Sequence, residues 1–259
     1  MTDAHCHVVR GEARHFLCEP FGDLRGVPPP RCAGADDSPR DVFFFGWHPW
    51  FLDGFDADAL RRRLAERPDA GVGEIGLDRL RERTIPQAMR EAFEMQLDIA
   101  AELSRPAVLH GAKCWGEVVK ACVPRAGRIP AFLFHGFSRS AGLLPDIVRI
   151  NGFVSIGPAL LNDHAVNYRE LAKAVPADRV LVESDATGET AAKLPRAGEI
   201  ADFLADLRGV PRSEMASVLE SNADRFAECC LRRGATRLLC RVNEVKGEIM
   251  PRSRPVEGP

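Results

Sequence analysis

Two textures alternate along the chain. Short, nearly unbroken apolar runs occupy residues 2–9, 15–18, 41–47, 70–77, 106–110, 131–137, 153–157 and 179–185, the second of them weak. Such runs are expected of strands buried on both faces of a parallel sheet. Between them lie amphipathic stretches at 56–67, 85–103, 115–123, 140–150, 168–175, 197–209 and 213–230. Asp56 or Asp58 is placed to cap the first. The second keeps Met89, Ala92, Phe93, Gln96, Leu97 and Ala100 near one face, as a helix against a core requires. This alternation predicts βαβ units. Residues 19–39 break the pattern with Pro28-Pro29-Pro30 and a small, polar stretch at 34–37. They read as a loop and leave little room for a helix between the second and third strands.

The predicted fold is α/β: a TIM-type (β/α)8 barrel, irregular between its second and third strands. The chain of 259 residues matches the usual size of one such barrel, about 250 residues. The expected organisation is one barrel domain over 1–230 and a C-terminal extension over 231–259, its Pro-rich end from Pro251 disordered. A 45% hydrophobic fraction allows a large core, and 28% charged residues with a net charge of −2 describe a globular chain. That balance argues against coating duplex DNA by bulk charge, which takes clustered Lys and Arg. The eight cysteines form no C-x-x-C pair, so a thiolate zinc or redox motif is not expected. No export signal precedes Asp3, which with so many cysteines predicts reduced thiols in a cytoplasmic protein. No apolar stretch is long enough to span a membrane.

Most apolar runs carry a metal-competent side chain at or near the end: His5 and His7, His48, Glu74 and Asp78, His110, His135, and Asp185. In a barrel of this type the C-terminal strand ends build the active site, so these side chains would converge on one mouth. Side chains repeat every second residue along a strand, so His5 and His7 face the same way and can grip one metal. A carboxylate from another strand can bridge two metals, and histidines from further strands can complete a second site. Nitrogen and oxygen ligands suit Zn, Mn, Fe, Co or Ni better than a thiolate-bound metal.

D-A-H-C-H, G-W-H-P-W, G-E-I-G-L-D, V-L-H, F-H-G-F and V-E-S-D occur in order, and the last helix closes with S-N-A-D-R-F. From Asp3 to about Phe226 the chain resembles the TatD family of metal-dependent hydrolases and deoxyribonucleases, on amidohydrolase-like barrels. It looks like a compact branch with a GxHPW motif. The resemblance implies two divalent metal ions, with Zn, Mg and Mn all open, and DNA or a small phosphate ester as substrate. By the same resemblance His5 and His7 would bind one metal, Glu74 would bridge, and His110 and His135 would bind the second. Asp185 would ligate the first metal and take the proton of the attacking water, while His48 and Asp78 would line the pocket. Ala112 departs from the family's usual Arg after the fourth motif, and Ala186-Thr187 lacks the usual Pro. Lys113 can supply the missing cation as a point charge, and with Arg139 would neutralise phosphate oxygens. Arg81 and Arg83 would extend a cationic rim.

Bland roles compete with these. His15 and His164 read as structural or solvated, Cys6 as a core thiol, and the tryptophans as core or pocket wall. His48 precedes Pro49 and can as well stabilise a turn; Asp78 can as well cap a loop. Two rivals stand beside the phosphodiesterase. One is an amidohydrolase-like enzyme of an amide, lactone or phosphotriester, whose relatives often bridge metals with a carboxylated lysine. Here Glu74 takes the bridging position. The other is a non-catalytic binding barrel, which would be free to lose ligands, whereas all six are present.

Overall fold

The computed structural model describes residues 1–11, 14–21, 41–81, 83–138 and 141–246. Eight strands form one parallel sheet in sequential order: β1 Thr2–Cys6, β2 Arg14–Phe21, β3 Val42–Trp47, β4 Gly71–Asp78, β5 Ala107–Ala112, β6 Phe132–Phe134, β7 Gly152–Ile156 and β8 Val180–Val182. The ring closes just past the ends of β8 and β1. Asp185 N–H donates to the His5 carbonyl at 3.0 Å, and His7 N–H donates to the Ala186 carbonyl at 2.8 Å. The Asp3 carboxylate ties the same seam, accepting from Ser184 N–H at 2.8 Å and Ser184 Oγ at 2.6 Å. The expected barrel is therefore the observed one.

Helices α1 Ala57–Glu66, α2 Gln87–Leu103, α3 Trp115–Cys122, α4 Leu144–Arg149, α5 Val166–Ala174, α6 Ala197–Arg208 and α7 Arg212–Lys246 follow the strands. Asp56 caps α1, its side chain accepting from the N–H groups of Asp58 and Ala59. The outer core lies between strands and helices, with Leu60 and Leu64 of α1 and Phe93 and Leu97 of α2 fully or nearly fully buried. A second apolar cluster fills the barrel interior, and α7 joins it. Its Phe226 ring stands 5.6 Å from Phe16, 5.9 Å from Phe44 and 5.6 Å from Phe153, so one aromatic side chain plugs three strands together. Asn222 pins the same helix to β8, donating to the carbonyls of Ala177 and Val180 at 2.8 Å each.

Several elements differ from expectation. The weak second run is a full strand, paired residue by residue with β3 from Phe16–Val42 to Phe21–Trp47. Pairing with two neighbours overrides the poor strand character of Arg14, Glu19 and Pro20. β6 and β8 are shorter than their apolar runs, because their ends turn: Gly136 has φ 55 and Asp185 φ 51. The run at 140–150 yields a 3-10 turn at Ala141–Leu143 and only a short α4. The helix expected over 213–230 is longer, α7 continuing past Cys230 to Lys246. Of the loop expected over 19–39, residues 19–21 belong instead to β2, where pairing with β3 extends the strand, and the remainder lies outside the described residues.

Two register shifts interrupt the regular pairing. One lies between Asp3 and Cys6 of β1, the other between Val72 and Ile75 of β4. An irregularity of this kind re-aims a side chain that strict alternation would point elsewhere. His5 and Glu74 sit inside these two shifts. Gly76 lets β4 and β5 approach closely, since a Cβ there would stand 2.0 Å from the His110 carbonyl oxygen.

Candidate metal centre

The strand ends deliver their polar side chains to one mouth, and Glu74 is its centre. Its carboxylate is buried, and each oxygen faces a different group of imidazoles. Oε2 lies 3.4 Å from His5 Nε2 and 3.6 Å from His7 Nε2. Oε1 lies 2.7 Å from His110 Nδ1, 2.6 Å from His135 Nε2 and 3.6 Å from His48 Nε2. Asp185, exposed at the rim, brings Oδ1 to 3.5 Å from His5 Nε2 and 3.9 Å from His7 Nε2.

The far nitrogen of each ring is also held. His7 Nδ1 donates to the Cys18 carbonyl at 2.8 Å, and His5 Nδ1 lies 3.3 Å from Cys18 Sγ. His110 Nε2 donates to Asp78 Oδ2 at 2.8 Å, and His135 Nδ1 lies 3.4 Å from Glu183 Oε1. The far nitrogen of His48 receives a backbone donor: Trp50 N–H donates to His48 Nδ1 at 3.1 Å.

These contacts set the charges. Burial works against ionisation of Glu74, yet the imidazoles of His135, His48 and His5 and the hydrogen bond from His110 hold its carboxyl well below the usual range. Burial and the neighbouring His5 oppose a proton on His135, but Glu74 and Glu183 overcome them and push it up to about 10. His110 is likewise raised, against burial, by Asp78 and Glu74. His48 is pushed down to about 3, chiefly by burial, with Glu74 opposing and His110, His7 and His135 reinforcing. Without metal, the cluster is a carboxylate surrounded by imidazoles, some of them protonated.

The residues fit a cation. His5 Nε2 is fully buried and satisfies no hydrogen bond. Two ligands at about 2.1 Å from a tetrahedral cation stand about 3.4 Å apart, which is the spacing between His5 Nε2 and both Glu74 Oε2 and Asp185 Oδ1. Three combinations of these side chains meet at metal-holding distance: His5, His7 and Glu74; His5, His135 and Asp185; His48, Glu74 and His110.

All eight strand-end residues singled out from the sequence thus gather in one cluster. Lys113 joins them, lining a cleft of about 390 Å³ with His110, His135 and Asp185. The Arg81 guanidinium lies 4.2 Å from the centre of the Trp50 ring, and Trp50 is 38% exposed beside His48 and His110. Arg83 is exposed, and Arg139 lies outside the described residues. His15 is apart from the cluster, buried between Arg10 N–H and the Asp41 carboxylate, and His164 is exposed. Sequence reasoning missed Cys18 and Glu183. Glu183 had a signal, standing two residues before Asp185 in V-E-S-D. Cys18, in the weak second run, had none.

Residues 32–228 match the model of the TatD related DNase family. The chain belongs to that family. It is a metal-dependent hydrolase of TatD type, acting on ester bonds. It is 25% identical over 195 residues to the uncharacterized metal-dependent hydrolase YabD of Bacillus subtilis, covering 70% of this chain and 75% of that one. It is 32% identical over 145 residues to the 3'-5' ssDNA/RNA exonuclease TatD of Dickeya dadantii, where the match spans 54% of this chain and only 55% of the relative. Among solved structures, the TatD homologue YjjV of Escherichia coli superposes with a TM-score of 0.68 at 20% identity, over 87% of this chain and 96% of that one. This likeness carries the TatD fold. No helix among the described residues is long and apolar enough to cross a membrane.

Proposed function

We propose that this TatD-family hydrolase is a phosphodiesterase of single-stranded nucleic acid, working with two divalent metal ions. The observation that carries this reading is Glu74, whose two carboxylate oxygens face separate imidazole groups, His5 with His7 and His110 with His135. A carboxylate so placed suits a bridge between two cations. His5, His7 and Asp185 would hold one, and His110 and His135 the other. When bound, such a pair supplies Lewis-acid activation of water, whose pKa falls from about 15.7 towards about 7.

The chain's own residues supply the rest. Asp185, exposed at the rim and close to His5, accepts the proton of the attacking water. Lys113 lines the same cleft and sets a positive charge against the phosphate oxygens. Trp50, exposed beside the cluster and stacked with Arg81, offers an aromatic face and a cation at the mouth. Stacking and cationic contacts are how single strands are held without reading their sequence. Relatives named as ssDNA/RNA exonucleases support the choice of substrate.

The test is hydrolysis of labelled single-stranded DNA and RNA beside a small chromogenic phosphodiester. Each is run with Mg, Mn or Zn, with chelator, and with Glu74→Ala. Metal-dependent release of nucleotides, abolished by chelator and by the mutation, is the expected result. Cleavage of the small ester alone removes nucleic acid as the substrate. No turnover of any phosphodiester by the metal-loaded protein points to a different ester.

A further inference from the structure

Five imidazoles surround Glu74, and their hydrogen bonds divide them unequally. A neutral imidazole has one N–H donor and one lone-pair nitrogen, and the partner of one nitrogen fixes the role of the other. A metal-binding histidine characteristically gives its far N–H to a carboxylate or carbonyl, which frees the near nitrogen to ligate. His7 and His110 meet that rule through the Cys18 carbonyl and Asp78. His135 faces Glu183 in the same way, and His5 faces the Cys18 sulfur.

His48 inverts the rule. Its Nδ1 accepts the Trp50 backbone N–H at 3.1 Å, so the ring's proton must sit on Nε2. Nε2 is the atom turned towards the cluster, and at 3.6 Å from Glu74 Oε1 it is too far away for a hydrogen bond there. The donor comes from the backbone of a turn two residues on, so side-chain repacking does not remove it. Proximity alone places His48 with Glu74 and His110 as a possible ligand group; its hydrogen bonding argues the opposite.

We propose that His48 binds no metal and is the site's fixed hydrogen-bond donor, presenting Nε2–H to a non-bridging oxygen of a phosphoryl group. The substrate half of this statement rests on the phosphodiesterase reading; the statement about the metal does not. The other four imidazoles would then be left to hold cations, and the fifth would hold the substrate anion.

The experiment compares wild type, His48→Ala and His48→Gln, whose amide keeps an N–H near the Nε2 position. Three sets of quantities are read on the metal-loaded protein: metal content and affinity, affinity for inorganic phosphate, and kcat and KM on the chromogenic phosphodiester. A long-range 15N–1H correlation spectrum of the wild type reads the tautomer directly and does not depend on any variant folding. The expected spectrum gives His48 as the Nε2–H tautomer. Metal content is unchanged in both variants. Phosphate affinity falls about 10-fold in His48→Ala and is restored in His48→Gln, and kcat falls about 100-fold, the usual cost of one preorganised donor. Loss of a metal equivalent in His48→Ala, or an Nδ1–H tautomer, overturns the proposal. So does phosphate binding that is absent in the wild type or indifferent to His48. If phosphate binding depends on His48 while no phosphodiester is cleaved, the donor stands and the phosphodiesterase reading fails.

Discussion

At the scale of single residues, Cys18 connects parts of the site that the motifs leave separate. Its carbonyl holds His7 and its thiol faces His5, so one residue of β2 orients both histidines of β1. Cys18 is buried beyond the reach of a solvent-borne oxidant, which makes positioning the use of its sulfur. Cys18→Ala keeps the carbonyl contact and removes the sulfur. It should weaken metal affinity about 10-fold, the lower end of what such outer partners contribute, with Cys18→Ser closer to wild type; titration with a competing chelator measures it. Gly76 works by absence. An added methyl would collide with the His110 carbonyl oxygen. Gly76→Ala should therefore push β5 away from β4, loosen the Glu74–His110 contact and reduce metal-dependent activity more than it reduces thermal stability. Activity and unfolding measured on the same sample separate the two effects.

Among the elements, β1 and β4 matter through their irregularities. A perfectly alternating β4 would have no reason to turn Glu74 and its neighbours differently; the shifted register between Val72 and Ile75 accompanies its inward placement. α7 sends Phe226 into the apolar cluster of the barrel interior. Phe226 reaches Phe16, Phe44 and Phe153, strands that are distant in sequence. Phe226→Ala should cost about 3–5 kcal/mol, the range for a fully buried phenylalanine. The metal ligands should still assemble at lower temperature, since none of them touches this ring. Denaturant unfolding read beside metal affinity tests both halves of that expectation.

The whole molecule carries its electrostatic tension at one point. His135 holds its proton up to about 10, against an ordinary value of 6.5, because burial is outweighed by Glu74 and Glu183. A raised folded value means that the stabilisation is complete below about pH 6.5 and is lost as pH rises through about 10. Metal-free protein should therefore melt at progressively lower temperature between about pH 7 and pH 10. Bound cations replace that proton, so metal-loaded protein should show a flatter profile and a higher melting temperature. At a free metal concentration 100 times Kd the gain is about 2.7 kcal/mol for each independent site. Metal uptake near neutral pH should release protons, detectable as a buffer-dependent binding enthalpy; equal enthalpies in all buffers would contradict the protonated cluster.

By itself the sequence determined the alternation of strands and helices, and with it the barrel. Near-continuous apolar runs such as 41–47 and 70–77 have few other stable arrangements than a sheet covered on both faces. It also determined the membership of the cluster, because His5, His7, His48, Glu74, Asp78, His110, His135 and Asp185 all stand near strand ends, and parallel strands bring those ends to one side. Tertiary structure decided what each of them faces. Pairing on both sides made β2 a full strand despite its polar residues, and so brought Cys18 to the histidines of β1. The same packing buried Glu183 against His135 and placed Phe226 among three strands. It also set the Trp50 N–H against His48. None of these follows from periodicity, which describes which face of an element is apolar; partners and tautomers depend on distances between chain segments far apart in sequence.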